Sequence, residues 1–105
     1  MRALPVDWDE YGAERPTLEA LAAMSSLLNQ YSHRDQVPVH VGASPDGGVA
    51  AVFGSDIRRV TVEIANSGEI LVAMSAGRDT NVREVARNKD SIEGLIHDTG
   101  IFLSL

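Results

Sequence analysis

Four carboxylates crowd the stretch VDWDEYGAERPT: Asp7, Asp9, Glu10 and Glu14, beside the single tryptophan, Trp8, and one of the two tyrosines, Tyr11. Acids this dense can hold a hard cation, because Ca²⁺ and Mg²⁺ prefer oxygen ligands. The D-x-D spacing of Asp7 and Asp9 is too common to diagnose such a site, and no EF-hand loop pattern is present. The same acids can instead face a basic partner, with aromatic contact area of the kind that dominates interfaces. An N-terminal arm holds a fixed surface only if it is tied down. Trp8 and Gly12 therefore read as the anchor and the bend. Asp7, Asp9, Glu10, Tyr11 and Glu14 are the expected partner-binding residues.

The remaining chemistry-bearing residues give weaker patterns. His33, His40 and His97 show no i, i+4 pair and no HExxH, so each reads as an ordinary surface residue. Ser44 and Ser91 stand in turn and cap contexts, with no G-x-S-x-G elbow. The stretch SPDGGV has two glycines but neither the spacing nor the lysine of a phosphate-binding loop. A glycosidase-type carboxylate pair has little room for a sugar cleft in a domain of this size. Arg58 and Arg59, with Arg78, Arg83 and Arg87, read as a solvated face balanced by Glu63, Glu69 and Glu84. No catalytic residue, cofactor or metal ligand is expected from these patterns.

Composition narrows the partner class. The chain has 105 residues, a net charge of −6 and no cysteine. Its isoelectric point is near 4.8. Absence of cysteine removes disulfides, thiolate metal sites and cysteine nucleophiles, and fits a cytosolic setting. The acidic balance argues against direct contact with nucleic-acid phosphates, which needs a basic footprint. It suits either simple solubility or a basic protein partner. No run approaches the roughly 18 apolar residues that suggest a membrane span, and the N-terminus shows no apolar signal region. A cytoplasmic location with no membrane contact is the expectation.

The elements that must position these residues follow from periodicity and turn chemistry. TLEALAAMSSLLNQY predicts a helix over 17–31, capped by Thr17. Its stripe is Leu18, Leu21, Ala22, Ser25 and Leu28, widened by Met24, Leu27 and Tyr31. VPVHVGA alternates as a strand, and Pro38 places it at an edge or at its own beginning. SPDGG turns the chain into VAAVF, GSD turns it into IRRVTVEIA, and NSG turns it into EILVAMS. Residues 77–90 read as a loop with one helical segment, although VREVA is also short enough to be an additional strand. Ser91 then caps a helix, IEGLIHDTG, which Gly100 ends. The apolar IFLSL terminus is expected to pack onto the sheet or into a partner. The expected fold is one α+β domain over residues 1–105. A four-stranded antiparallel β-meander is covered by an N-terminal helix and a C-terminal helix.

Two stretches carry a family resemblance. WDEYGAERPT, Trp8 to Thr17, resembles the N-terminal W-D-G-Y/E-G-A motif of small uncharacterised bacterial and phage-associated proteins. PDGGVAAVF, Pro45 to Phe53, resembles their P-D-G-G-I strand entrance. The order of motif, helix, PDGG turn, meander with an Arg-bearing strand and apolar tail is also similar. Glu10 stands where that group commonly has Gly, and Val52-Phe53 where it commonly has Glu-Trp. The resemblance implies the fold and brings no catalytic chemistry with it.

The functional expectation is a non-catalytic acidic protein-binding module. Its concrete form is an inhibitor from a phage or mobile element, anti-CRISPR-like or antitoxin-like, blocking a basic nucleic-acid-binding protein. Two alternatives stand beside it. One is a small ligand-binding or enzymatic domain with a pocket between helix and sheet. The other is a self-associating subunit, a homodimer for instance, built on the edge strand or the IFLSL tail.

Overall fold

A computed structural model of the chain describes residues 15–44 and 47–105. Helix α1, Leu18–Ser32, begins where the sequence places it. The Thr17 side chain accepts the Ala20 N–H, and Glu19 lies in the positive first turn. The helix start is also tied to the sheet. Asn66 Oδ1 accepts the Thr17 N–H at 2.8 Å, and Asn66 Nδ2 donates to the Arg15 carbonyl at 3.0 Å.

Five strands follow: β1 His40–Ala43, β2 Val49–Gly54, β3 Arg58–Ile64, β4 Ile70–Ala76 and β5 Asp79–Val85. They pair in chain order, every pair antiparallel. The expected GSD and NSG turns are present, Pro45 and Asp46 of the SPDGG turn lie outside the described residues, and there is one strand more than expected. β5 occupies residues read as a loop with a helical segment. Its burial explains why: only Val85 of its seven residues is buried. Without a buried face there is no alternation to read, and the strand exists because β4 offers it a ladder. At the first turn, Gly48 holds φ at +107°, where a Cβ would lie 2.2 Å from the Ile64 carbonyl oxygen. That position requires glycine.

Opposed residues of an antiparallel ladder share a face. The register therefore puts Val49, Ala51 and Phe53, Val60, Val62 and Ile64, and Ile70 and Val72 on one side. All eight are buried in one core cluster with residues of both helices. The two helices cover this side, as two layers require.

Three details of the helices differ from the sequence reading. α1 buries Ala20, Met24, Leu27 and Tyr31, while Leu18 is 80% exposed and Ala22 and Ser25 face solvent. The helix is rolled so that the Tyr31 ring meets Phe53, centroids 4.4 Å apart. An aromatic pair buries more than Leu18 can offer at the first turn. Helix α2 runs Lys89–Ser104, capped by Asn88, whose side chain accepts the Ser91 N–H at 2.8 Å. Ser91 is thus inside the first turn, not at the cap. Gly100 is within the helix, and a Cβ there would approach the Gln36 amide at 3.1 Å. The IFLSL segment is helical through Ser104, with Phe102 and Leu103 against the core and Ile101 and Leu105 exposed.

Candidate functional site: the open face of the sheet

The second side of the sheet carries no helix among the described residues. Its residues are fixed by the same register in three rows across the strands. One row is Gly42, Ala50, Glu63, Leu71 and Glu84. The next is His40, Val52, Thr61, Ala73 and Val82. The third is Gly54, Arg59, Ser75 and Thr80. Between the first two rows lies a concavity of about 330 Å³. Small side chains, Ala50, Thr61 and Ala73, make its floor, and Leu71 and Val82 rise beside them. Ser44 and Glu63 line one side, with the Ser44 hydroxyl donating to Glu63 Oε2. On the far row Ser75 and Thr80 hydrogen bond to each other at 3.1 Å.

The centre of this face, Ala50, Val52, Leu71, Ala73 and Val82, is apolar where a solvated face would be polar. An antiparallel sheet with one wet side alternates apolar and polar residues, whereas strands covered on both sides read as continuous apolar runs. β2 is VAAVFG and β4 is ILVAMSA. Both are apolar on both sides. Only β3, RRVTVEI, alternates. Residues Ala50, Val52, Leu71 and Ala73 were thus present in the sequence as a signal of two-sided burial, and strand assignment alone did not expose it.

A second concavity, of about 290 Å³, lies between α2 and the β4–β5 pair. Met74, Ile101, Phe102 and Leu105 line it, and the Arg83–Asp98 ion pair, 3.2 Å, spans its mouth. Arg58 is spent on the same end of the molecule, its guanidinium 5.3 Å from the Phe102 ring centroid. The arginines therefore do not form one patch: Arg58 caps a ring, Arg59 sits on the open face, and Arg83 pairs with α2.

Elsewhere the described residues hold structural polarity. Thr99 donates to the Leu95 carbonyl at 2.8 Å and lies 2.9 Å from the Tyr31 hydroxyl. A threonine hydroxyl has one proton, so Tyr31 is the donor to Thr99. Burial pushes the Tyr31 phenol up to about 12, against smaller downward pulls from Thr99 and Arg83. His33, His40 and His97 are all exposed, and they belong to α1's end, β1 and α2 respectively. No group of three or more His, Asp or Glu able to hold a metal ion occurs among the described residues. No helix among them is long and apolar enough to cross a membrane.

The expected partner-binding residues Asp7, Asp9, Glu10, Tyr11 and Glu14, and the anchor Trp8, lie outside the described residues. What the described residues do show is where the charge is not. They hold ten acids and eight basic residues, a net charge of −2 out of −6. Residues 1–14 alone contribute −3. The acidity of the chain is concentrated in its N-terminal stretch rather than spread over the body.

No protein-family model matches this chain, and neither a curated protein nor a solved structure matches it.

Proposed function

We propose that the chain is a non-catalytic protein-binding module whose contact surface is the open face of the sheet. The observation that carries this reading is the pair of doubly apolar strands, β2 and β4, beneath a concavity over which no helix lies among the described residues. Apolar area left in water is unfavourable by about 25 cal/mol per Å². Contiguous apolar patches of this kind mark interaction sites. The acidic N-terminal stretch supplies a second contact, with Asp7, Asp9, Glu10, Tyr11 and Glu14 as its residues. Together they suit a basic partner, and blocking a nucleic-acid-binding protein is the role we assign. The bacterial or phage setting, and an anti-CRISPR-like or antitoxin-like use, belong to the same proposal and rest on the WDEYGA and PDGG resemblance. A cytoplasmic location is part of it too.

Self-association has its own observation. β1 is an edge strand, and Val37 and Val39 just before it and Val41 within it are 72%, 67% and 37% exposed. β5, the other edge, carries Asp79, Arg83 and Glu84, which discourage pairing.

Affinity capture with the full chain tests the main reading. Val82→Lys with Glu84→Lys serves as the control, since both positions are exposed and the substitutions spare the core. The expected result is a protein retained by the native chain, lost with the double variant, and eluted by salt. A captured protein held equally by both chains sinks the open face as the contact surface. Failure to capture any protein counts against the module itself.

A further inference from the structure

We infer that the chain's own residues 1–14 lie across the open face when no partner is bound, with Trp8 seated in the concavity, and that a partner gains this face by displacing them. This rests on the binding-module reading and adds its regulation. The point of attachment favours it. Asn66, in the turn between β3 and β4, donates to the Arg15 carbonyl and accepts from the Thr17 N–H. The stretch therefore joins the body at the end of the sheet where the row of Glu63 and Leu71 stands. Thr61, in the floor of the concavity, is five residues from Asn66, about 17 Å of strand. Trp8 is seven residues from Arg15, about 23 Å of extended chain. The span is covered with chain left over to turn the end of the sheet, and Gly12 is available for that bend.

The pattern of the stretch favours it too. Leu4, Val6 and Trp8 alternate with Pro5, Asp7 and Asp9. That is the period of an extended segment with one apolar side and one wet side. Pro5 has no N–H to give to a ladder, which suits a segment laid across a sheet better than one added to its edge. Ala50, Thr61 and Ala73 are a short floor beside the taller Leu71 and Val82, and the concavity they line is about 330 Å³. An aromatic side chain buries about 150–250 Å², the largest gain such a floor can take from one residue.

Charge does not choose the occupant. Glu63 is engaged by the Ser44 hydroxyl and by a further interaction, and Arg59 and Glu84 offset each other. Attachment does choose. A segment on a short linker is present at its own site at millimolar effective concentration, which a second copy or a separate protein must match. A partner that displaces it binds with an affinity reduced by the fraction of chains in which the face is open.

NMR of the isotope-labelled full chain, free of partner, tests the seat. The expected result is nuclear Overhauser contacts from the Trp8 indole to the Ala50 and Ala73 methyls, unchanged on dilution. Trp8→Ala should shift the methyl signals of Ala50, Leu71, Ala73 and Val82 and leave those of Met74 and Ile101 in place. An indole with no contact to the open face overturns the inference, as does one in contact with Met74, Ile101 and Phe102. Contacts found only between differently labelled copies assign the hole to a second copy and overturn it as well. Affinity capture tests the displacement: Trp8→Ala should hold the captured protein at least tenfold more tightly than the native chain, and equal retention overturns the inference. If the indole contacts are missing while capture still depends on Val82 and Glu84, the strap falls and the module stands. If the contacts are present and neither chain captures a protein, the seat of Trp8 is supported and the module falls.

Discussion

Tyr31 is fully buried, and it is the point where both helices and the sheet meet. Its ring packs on Phe53 of β2 and its hydroxyl donates to Thr99 of α2. Removing the hydroxyl and removing its acceptor are not equivalent. In Tyr31→Phe, Thr99 keeps its bond to the Leu95 carbonyl, so nothing polar is orphaned. The expected cost is about 1 kcal/mol by denaturant unfolding. The hydroxyl also makes stability depend on alkaline pH. An unfolded tyrosine releases its proton near pH 10, whereas the folded group holds it to about 12. Between those values the native state binds more protons than the unfolded one, so stability falls as pH rises. The stability linked to this proton is fully present below pH 10 and is lost as the pH rises toward 12, because the buried site disfavours the phenolate. Tyr31→Phe should therefore flatten the loss of stability between pH 10 and 12. Parallel slopes for the two proteins would contradict this account.

At the scale of elements, the join between α1 and the β3–β4 turn is made by one side chain. Asn66 accepts from Thr17 and donates to Arg15, across about fifty residues of chain. Replacing it strips the acceptor from the N–H of Thr17, the residue that caps α1. Asn66→Ala is expected to cost about 1 to 2 kcal/mol. Amide exchange should quicken at Thr17 and in the first turn of α1 before it does so in β3 or β4. Uniform quickening through the sheet would show that the residue acts on the turn alone.

The same scale shows what could be read in the residues and what could not. β3 was legible because Val60, Val62 and Ile64 alternate with Arg59, Thr61 and Glu63, and one side of that strand is the core. The turns were legible because Gly, Pro, Asn and Asp report backbone conformations directly. β5 was legible only as an alternative to a loop with a helical segment, since Asp79 to Glu84 are all exposed and leave no alternation to decide between them. The roll of α1 was not legible either. Leu18 and Leu21 look as apolar as Met24 and Leu27, and only the position of Phe53 decides which stripe turns inward. Asn88 lost its cap to Ser91 in the sequence reading because both are good caps three residues apart. The acids of the N-terminal stretch drew the eye as a site. The apolar residues of the open face, Ala50, Val52, Leu71 and Ala73, were read only as strand, although their run carries the message of two-sided burial.

At the scale of the whole molecule, the two layers are unequal in their demands. The core side is filled by Val, Ile and Phe from the sheet and by one stripe from each helix. The other side has apolar residues at its centre, acids along one row and an arginine with hydroxyls along another. Net charge divides along the chain as well, with −3 in residues 1–14 against −2 over the described residues. For the basic partner proposed above, the sheet would offer a short-range apolar contact and the N-terminal stretch a longer-range attraction. The second acts on the rate of encounter and is screened by salt, while the first governs the lifetime of the complex.

The order of the strands also dictates a timetable. Each hairpin closes over a handful of residues, so the sheet can assemble by steps that cost little chain entropy. The bond between Tyr31 and Thr99 is of another kind, spanning 68 positions. We expect its contact to form after the folding barrier is crossed. Thr99→Val leaves the Tyr31 hydroxyl buried without its acceptor, a loss of about 1 to 3 kcal/mol. In a chevron plot that loss should appear almost wholly in the unfolding arm, with the refolding arm superimposed on the native one. A slowed refolding arm would mean that the helices meet before the sheet is built. If the arms behave as expected, the threonine determines how long the folded molecule lasts rather than how quickly it is made.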